Sequence, residues 1–259
     1  MRDPVDSYLT LAEALANTAS QIIRRHFRTP VPVDDKVDLS PVTVADRDAE
    51  SAMRAMIESA FPDHGIVGEE FGVTRGGASH LWVLDPIDGT KSFVTGRPLF
   101  GSLIALCREG NPIVGVIDCP AVGERWTAAT GRPTLHQGRQ ARTRACPDLA
   151  TAWLYCTSPH MFEEADFERF ERVRRAVKFP LYGGDCYAYG LVASGFADLV
   201  IEASLSAYDW AALVPVVEGA GGHCTDWTGR ALDLATPKSR IIAAGDSRVH
   251  RAALEILSS

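Results

Sequence analysis

Apolar side chains recur every three or four positions through Tyr8, Leu11, Leu15, Ala19, Ile22 and Ile23, predicting an amphipathic helix over about 4–27 that Pro30 and Pro32 end. A second helix, about 44–60, puts Ala49, Met53, Met56, Ile57 and Ala60 on one face and stops before Phe61-Pro62. Beyond a glycine-rich loop around Gly76-Gly77 the period changes: 81–84, 102–107, 113–118 and 126–128 are short apolar runs bounded by turn residues, as in strands. The remainder alternates. A strand at 154–157 precedes a charged helix at 163–177, a small-residue helix at 187–193 and a strand at 198–202. A helix at about 210–219, strands near 223–226 and 240–244 and a last helix at about 247–257 follow. Helices then strands, followed by strands alternating with helices, predict an α/β (α+β) architecture with helices on both faces of a sheet. The weakly hydrophobic stretch 131–147 divides the chain into an N-terminal half, 1–140, and a C-terminal half, 141–259.

Composition narrows the function. With 46% hydrophobic and 23% charged residues among 259, the chain has the composition of a packed globular protein. Its 26 Lys+Arg against 33 Asp+Glu give a net charge of −7, and no basic run supplies the stripe that nucleic acid requires. No window approaches about 18 uncharged apolar residues, and acids and arginines occupy the N-terminal segment where a signal peptide needs apolar length. A cytoplasmic protein without membrane contact is the expectation. The six cysteines fall singly, without a CxxC pair, and read as reduced, packed thiols; the seven histidines show no metal spacing.

The chemistry concentrates at 81–90, LWVLDPIDGT, where an apolar strand runs into two aspartates three apart. Apolar residues before Asp85 place it at a strand's C-terminal end, where open α/β sheets bind ligands. Pro86 stiffens the turn, so Asp85, Asp88 and the Ile87 carbonyl converge as hard oxygen donors of the kind Mg²⁺ takes. Gly89-Thr90 allows close backbone approach at a helix N-terminus suited to phosphate. D-P-x-D-G is also an ordinary turn sequence. Two further segments favour a metal as a set: adjacent Glu69 and Glu70 in IVGEEF, and Asp209 in YDW, although each alone reads better as surface charge or as a helix cap.

The combination of PVTVAD at 41–46, GEE, WVLDPIDGT and YDWAALVPVVEGAGG, continuing to 244, resembles the inositol monophosphatase superfamily of Mg²⁺-dependent, lithium-sensitive phosphatases over nearly the whole chain. The resemblance implies a layered sandwich of alternating helix and sheet layers, as in fructose bisphosphatase, a homodimer, and two or three Mg²⁺ per active site. It makes Glu69, Asp85 and the Ile87 carbonyl ligands of one cation, and Asp85, Asp88 and Asp209 ligands of a second. Gly89 and Thr90 would present N–H groups to the phosphate, Asp46 would pair with Thr90 to orient or deprotonate the attacking water, and Glu70 would act from behind. The reaction implied is hydrolysis of a small phosphorylated metabolite by water that the cations activate.

The leaving group is read from the second half. The resemblance assigns it to Gly183, Gly184 and Asp185 in YGGDCYAYG and to Glu202 in DLVIEAS, with Asp88 and Asp209 close by. Asp185 adds a negative charge where inositol-type members carry a small neutral residue, which suits a cationic substrate, although it could instead cap the helix that follows. Tyr187 and Tyr189 could offer ring faces to such a cation. YGGDCYAYG and DGTKSFVTGRPLFGSLIAL most resemble the histidinol-phosphate phosphatase branch, as does Lys91-Ser92 in place of Thr-Asn. L-Histidinol phosphate is therefore the expected substrate. The alternatives are a broad phosphatase for inositol, sugar or phosphoadenosine phosphates, and a non-catalytic phosphate- or cation-binding homologue.

Overall fold

The computed structural model describes residues 4–30, 32–35 and 41–259. Helix α1 (Pro4–His26) packs on α2 (Val44–Ala60), with strands β1 (Val33–Asp35) and β2 (Pro41–Thr43) paired between them. Next come β3 (Gly65–Gly68), β4 (Gly72–Thr74), β5 (His80–Asp88), the five-residue α3 (Thr90–Val94), β6 (Gly101–Arg108), β7 (Asn111–Cys119), β8 (Glu124–Ala129), β9 (Leu135–His136) and β10 (Arg139–Gln140). The second half contains β11 (Trp153–Cys156), α4 (Glu164–Ala176), β12 (Phe179–Tyr182), α5 (Asp185–Ala193), β13 (Leu199–Leu205), α6 (Ala207–Trp210), α7 (Leu213–Gly219), β14 (His223–Thr225), β15 (Ser239–Ala244) and α8 (Ser247–Leu257).

The strands form an eight-stranded sheet in the order β10-β9-β8-β7-β6-β5-β3-β4 and a five-stranded sheet in the order β12-β11-β13-β15-β14. Strands of both sheets are covered on both faces, so alternate residues enter different cores. In β5 and β6, Trp82, Leu84, Ile104 and Leu106 pack against α1 and α2, whereas Val83, Leu103 and Ala105 face α5, α6 and α7. That central helix layer also meets Val200, Ile241 and Ala243 of the second sheet. The sheet's far face packs Leu199, Ile201 and Ile242 against α4 and α8. The result is a five-layer α-β-α-β-α sandwich. Among the described residues no helix is long and apolar enough to cross a membrane, and all six cysteines are buried and free.

Several boundaries differ from the sequence reading for local reasons. The helix expected over 210–219 is two short helices, α6 and α7, with Ala211-Ala212 between them. The stretch 131–147 contains the β9–β10 hairpin, whose two-residue strands give no alternation to read. Arg24, in the last turn of α1, and Arg28, just beyond it, donate to the carbonyls of Pro120 and Gly96 and tie this end of the helix to the loops behind the first sheet.

Candidate active site

Asp85 and Asp88 are three apart, so in a regular strand their side chains would leave opposite faces. The pairing of β5 with β6 prevents this: Asp85 lies opposite Leu103 and Asp88 opposite Gly101, so one extra residue is bulged on β5. A bulge resets the alternation and brings both carboxylates to one side. Asp209, in the first turn of α6, completes the group, and one oxygen from each of the three lies within 4.8 Å of the others. A matching bulge on β13, between Glu202 and Leu205, bends that strand beside them.

The surroundings fix each acid. Asp88 Oδ2 accepts the backbone N–H of Cys186 at 2.6 Å, at the start of α5. Asp209 is not the cap of α6. Ser206 is, and Asp209 closes the capping box from the third helical position by accepting the Ser206 N–H at 2.6 Å. Asp85 is 2% exposed, and its Oδ1 has no hydrogen-bond partner among the described residues. Burial, then the charges of Glu69, Asp88 and Asp209, hold the Asp85 carboxyl well above the usual carboxylate range. Burial, then Asp185 and Asp209, push Asp88 up, while burial raises Asp209 to about 7 against the opposing Ser206 N–H bond. Packed carboxylates with a buried, unpartnered oxygen are oxygen donors lacking a counter-charge. The donor set fits a hard divalent cation with ligands Asp85, Asp88 and Asp209 and with Glu69 beside Asp85.

The phosphate-side residues occupy the turn after β5. Gly89 has φ +82°, and a Cβ there would lie 2.9 Å from the Asp185 carboxylate, so the position demands glycine twice over. The Ile87 side chain is buried against α1 and α2, and its carbonyl accepts the Thr90 hydroxyl at 3.0 Å. The expected pair between Asp46 and Thr90 is therefore not formed. Asp46 Oδ2 is taken by the Thr43 N–H at 2.8 Å and Oγ1 at 2.6 Å in the capping box of α2, while its buried Oδ1 has no partner among the described residues.

On the opposite side, Asp88, Asp185, Glu202 and Asp209 line a cavity of about 110 Å³ together with Thr157, Met161, Cys186, Tyr189, Leu205 and Leu213; among the described residues no lysine or arginine lines it. Asp185 does not cap α5. It lies in the first turn with φ +44°, its Oδ2 accepting Ser92 Oγ at 2.7 Å. Burial raises its pKa against the Ser92 bond and the nearby Arg97 and Lys91 charges. Glu202, 3% exposed, accepts the Thr157 N–H and the Tyr189 hydroxyl, each at 2.8 Å, and burial raises it too. Tyr189 thus positions an acid, and Tyr187 packs edge-on against Trp126 at 5.7 Å. Gly183 and Gly184 form the turn behind the cavity, where the Gly183 carbonyl accepts Arg97 at 2.5 Å; they are not among its lining residues. Ser92, Thr157 and Met161 escaped the sequence reading as site residues. Only Ser92 left a signal, as the departure beside Thr90.

The sequence profile of the inositol monophosphatase family matches residues 5–259. The chain belongs to that family. A chloroplastic bifunctional phosphatase of Arabidopsis thaliana is 51% identical over 98% of this chain and 75% of its own length. A histidinol-phosphatase of Chlorobaculum parvum is 38% identical over 86% of each chain. The solved structure of an inositol monophosphatase from Zymomonas mobilis superposes with a TM-score of 0.92 at 46% identity, covering all of both chains. The protein is a phosphatase of the inositol monophosphatase family, with that family's layered fold.

Proposed function

We propose that this protein hydrolyses L-histidinol phosphate to L-histidinol and phosphate, with Mg²⁺ held by Glu69, Asp85, Asp88, Asp209 and the Ile87 carbonyl. The observation that carries the reading is the cavity that opens from the acid cluster, where beyond the cation ligands Asp88 and Asp209 the lining adds two further carboxylates, Asp185 and Glu202, and, among the described residues, no basic side chain. Such a lining favours an alcohol that is itself cationic, as the ammonium of histidinol is, over a neutral polyol. The histidinol-phosphatase of Chlorobaculum parvum supports it, as do those of Mycobacterium tuberculosis, 39% identical, and Streptomyces coelicolor, 35% identical. When bound, Mg²⁺ supplies charge neutralisation for the phosphate dianion and a nucleophilic water near neutral pH.

The chain's own groups do the rest. The N–H groups of Gly89 and Thr90, at the turn fixed by the β5 bulge, receive phosphate oxygens. The partnerless Asp46 Oδ1 is the acceptor for a water proton, and Glu70 supports Glu69 from the same turn. Asp185 and Glu202 hold the leaving alcohol, oriented by Ser92 and by Thr157 and Tyr189. The half spanning 1–140 thus supplies most cation and phosphate contacts, and that spanning 141–259 the alcohol contacts and Asp209. We assign the protein to the cytoplasm as a homodimer.

A broad-specificity enzyme is the second reading, favoured by the bifunctional relative at 51% identity. Phosphate release from L-histidinol phosphate, inositol 1-phosphate and phosphoadenosine phosphate, with Mg²⁺ and with EDTA, separates the two. The proposal predicts a kcat/KM preference of about tenfold or more for histidinol phosphate, abolished by EDTA, equivalent to about 1.4 kcal/mol. Equal rates on all three would leave only the phosphatase.

A further inference from the structure

The turn from β3 to β4, which carries Glu69 and Glu70, is held from behind by a buried ion pair on α2. Glu50 is 0% exposed, and its Oε1 accepts Arg54 Nε at 2.7 Å. The same carboxylate accepts the backbone N–H of Glu70 at 2.7 Å and that of Phe71 at 3.2 Å. Arg54 reaches on to Thr74 Oγ1 at 3.1 Å and to the Gly72 carbonyl, so one guanidinium spans the turn. On the other side of Glu69, a Cβ at Gly68 would lie 1.9 Å from Glu50 Oε1. Absence of a side chain at 68 is therefore what lets the carboxylate lie against the strand end. Glu69 is flanked by two residues that Glu50 touches, while its own N–H bonds the Leu84 carbonyl at 3.2 Å, one residue before Asp85.

A surface turn needs no such device. Burying a carboxylate is costly unless it is fully paired, and here the pairing is with the backbone of the GEEF turn and with Arg54. The arrangement leaves the Glu69 backbone little freedom and fixes the direction from which its side chain meets Asp85. We propose that Glu50, supported by Arg54, is a positioning residue that sets the Glu69 carboxylate at the cation site and so tunes the site's affinity for divalent metal. The proposal rests on the reading of Glu69 as a cation ligand. Glu50 touches neither substrate nor reacting atoms.

The test is titration of the purified protein with Mn²⁺ as probe, followed by electron paramagnetic resonance of the free ion, in wild type, Glu50→Gln and Gly68→Ala. Near-UV circular dichroism establishes which variants fold, and Arg54→Lys, the mildest change, decides if both others unfold. Removing a partner that orients a metal ligand typically costs 10–100-fold in affinity, so the Mn²⁺ dissociation constant is expected to rise by about that factor. The Mg²⁺ concentration for half-maximal rate should rise in parallel, while the substrate KM at saturating Mg²⁺ holds. A folded variant that binds Mn²⁺ as tightly as wild type overturns the proposal, because a merely structural role would lower stability alone. Failure of the wild type itself to bind Mn²⁺ would instead remove the metal reading on which the proposal stands.

Discussion

Asp88 faces three ways: toward Asp85 and Asp209, toward the cavity, and onto the N–H of Cys186. Asn in its place keeps an acceptor for that N–H but removes the charge that a cation needs. Asp88→Asn is therefore expected to fold normally and to lose kcat/KM by roughly a thousandfold, about 4 kcal/mol of the several that a cation contributes. Full activity in that variant would refute the ligand assignment. Ser92 is a gentler probe, since its hydroxyl makes one hydrogen bond to a charged group, Asp185. Steady-state kinetics of Ser92→Ala should show KM for histidinol phosphate raised roughly tenfold, about 1.5 kcal/mol.

At the scale of elements, the 131–147 stretch is anchored to the second sheet through Asp198. This residue, 2% exposed, accepts Arg144 Nε at 2.7 Å, Arg144 Nη2 at 2.6 Å and the Trp153 N–H at 2.8 Å, joining that stretch to β11 at the foot of β13. Asp198→Ala removes the acceptor that Arg144 and the Trp153 N–H share and should cost about 2 kcal/mol, seen as a fall of roughly 5 °C in Tm with the site chemistry intact. The sequence pattern revealed most of these elements. Helices such as α1 and α2 carry long apolar faces at 3.6-residue spacing, and strands such as β6 and β7, buried on both faces, stand out as continuous apolar runs bounded by turn residues. Five-residue α3, the hairpin at 135–140 and the bulge in β5 have too few residues to show a period. Asp85 and Asp88 were legible because their convergence is local, within one turn. The contact between Thr157 and Glu202, 45 residues apart, is a tertiary fact that no local pattern encodes, whereas the Thr43-x-x-Asp46 capping box that takes up Asp46 is local and stands in the chain as a helix-start signal.

For the molecule as a whole, the acid cluster lies between the first sheet and the central helix layer, so its repulsion opposes folding directly. Asp209, raised to about 7 from its unfolded value near 3.8, binds more protons folded than unfolded between those pH values. Stability of the metal-free protein from this group is thus greatest at low pH and is lost as pH rises toward 7. Bound Mg²⁺ removes the repulsion. The gain in Tm on adding Mg²⁺ to EDTA-treated protein should accordingly be larger at pH 8 than at pH 5.5, as read by thermal unfolding at matched ionic strength. His250 works in the opposite direction. Burial and His223 lower it to about 4, so its contribution declines as pH falls below about 6.5, equally with and without Mg²⁺, and cancels from that difference.

The central claim is that the cavity beyond the cation ligands, lined by Asp185 and Glu202, selects a cationic alcohol through Asp185. It is tested most directly by the ratio of kcat/KM for L-histidinol phosphate over inositol 1-phosphate, measured in wild type and in Asp185→Asn. Loss of one charge-assisted contact, about 1–2 kcal/mol, predicts that the substitution lowers this ratio by roughly 5–30-fold, with the inositol phosphate value little changed. An unchanged ratio, with both substrates affected alike, would contradict the account and leave Asp185 as a structural brace between α3 and α5.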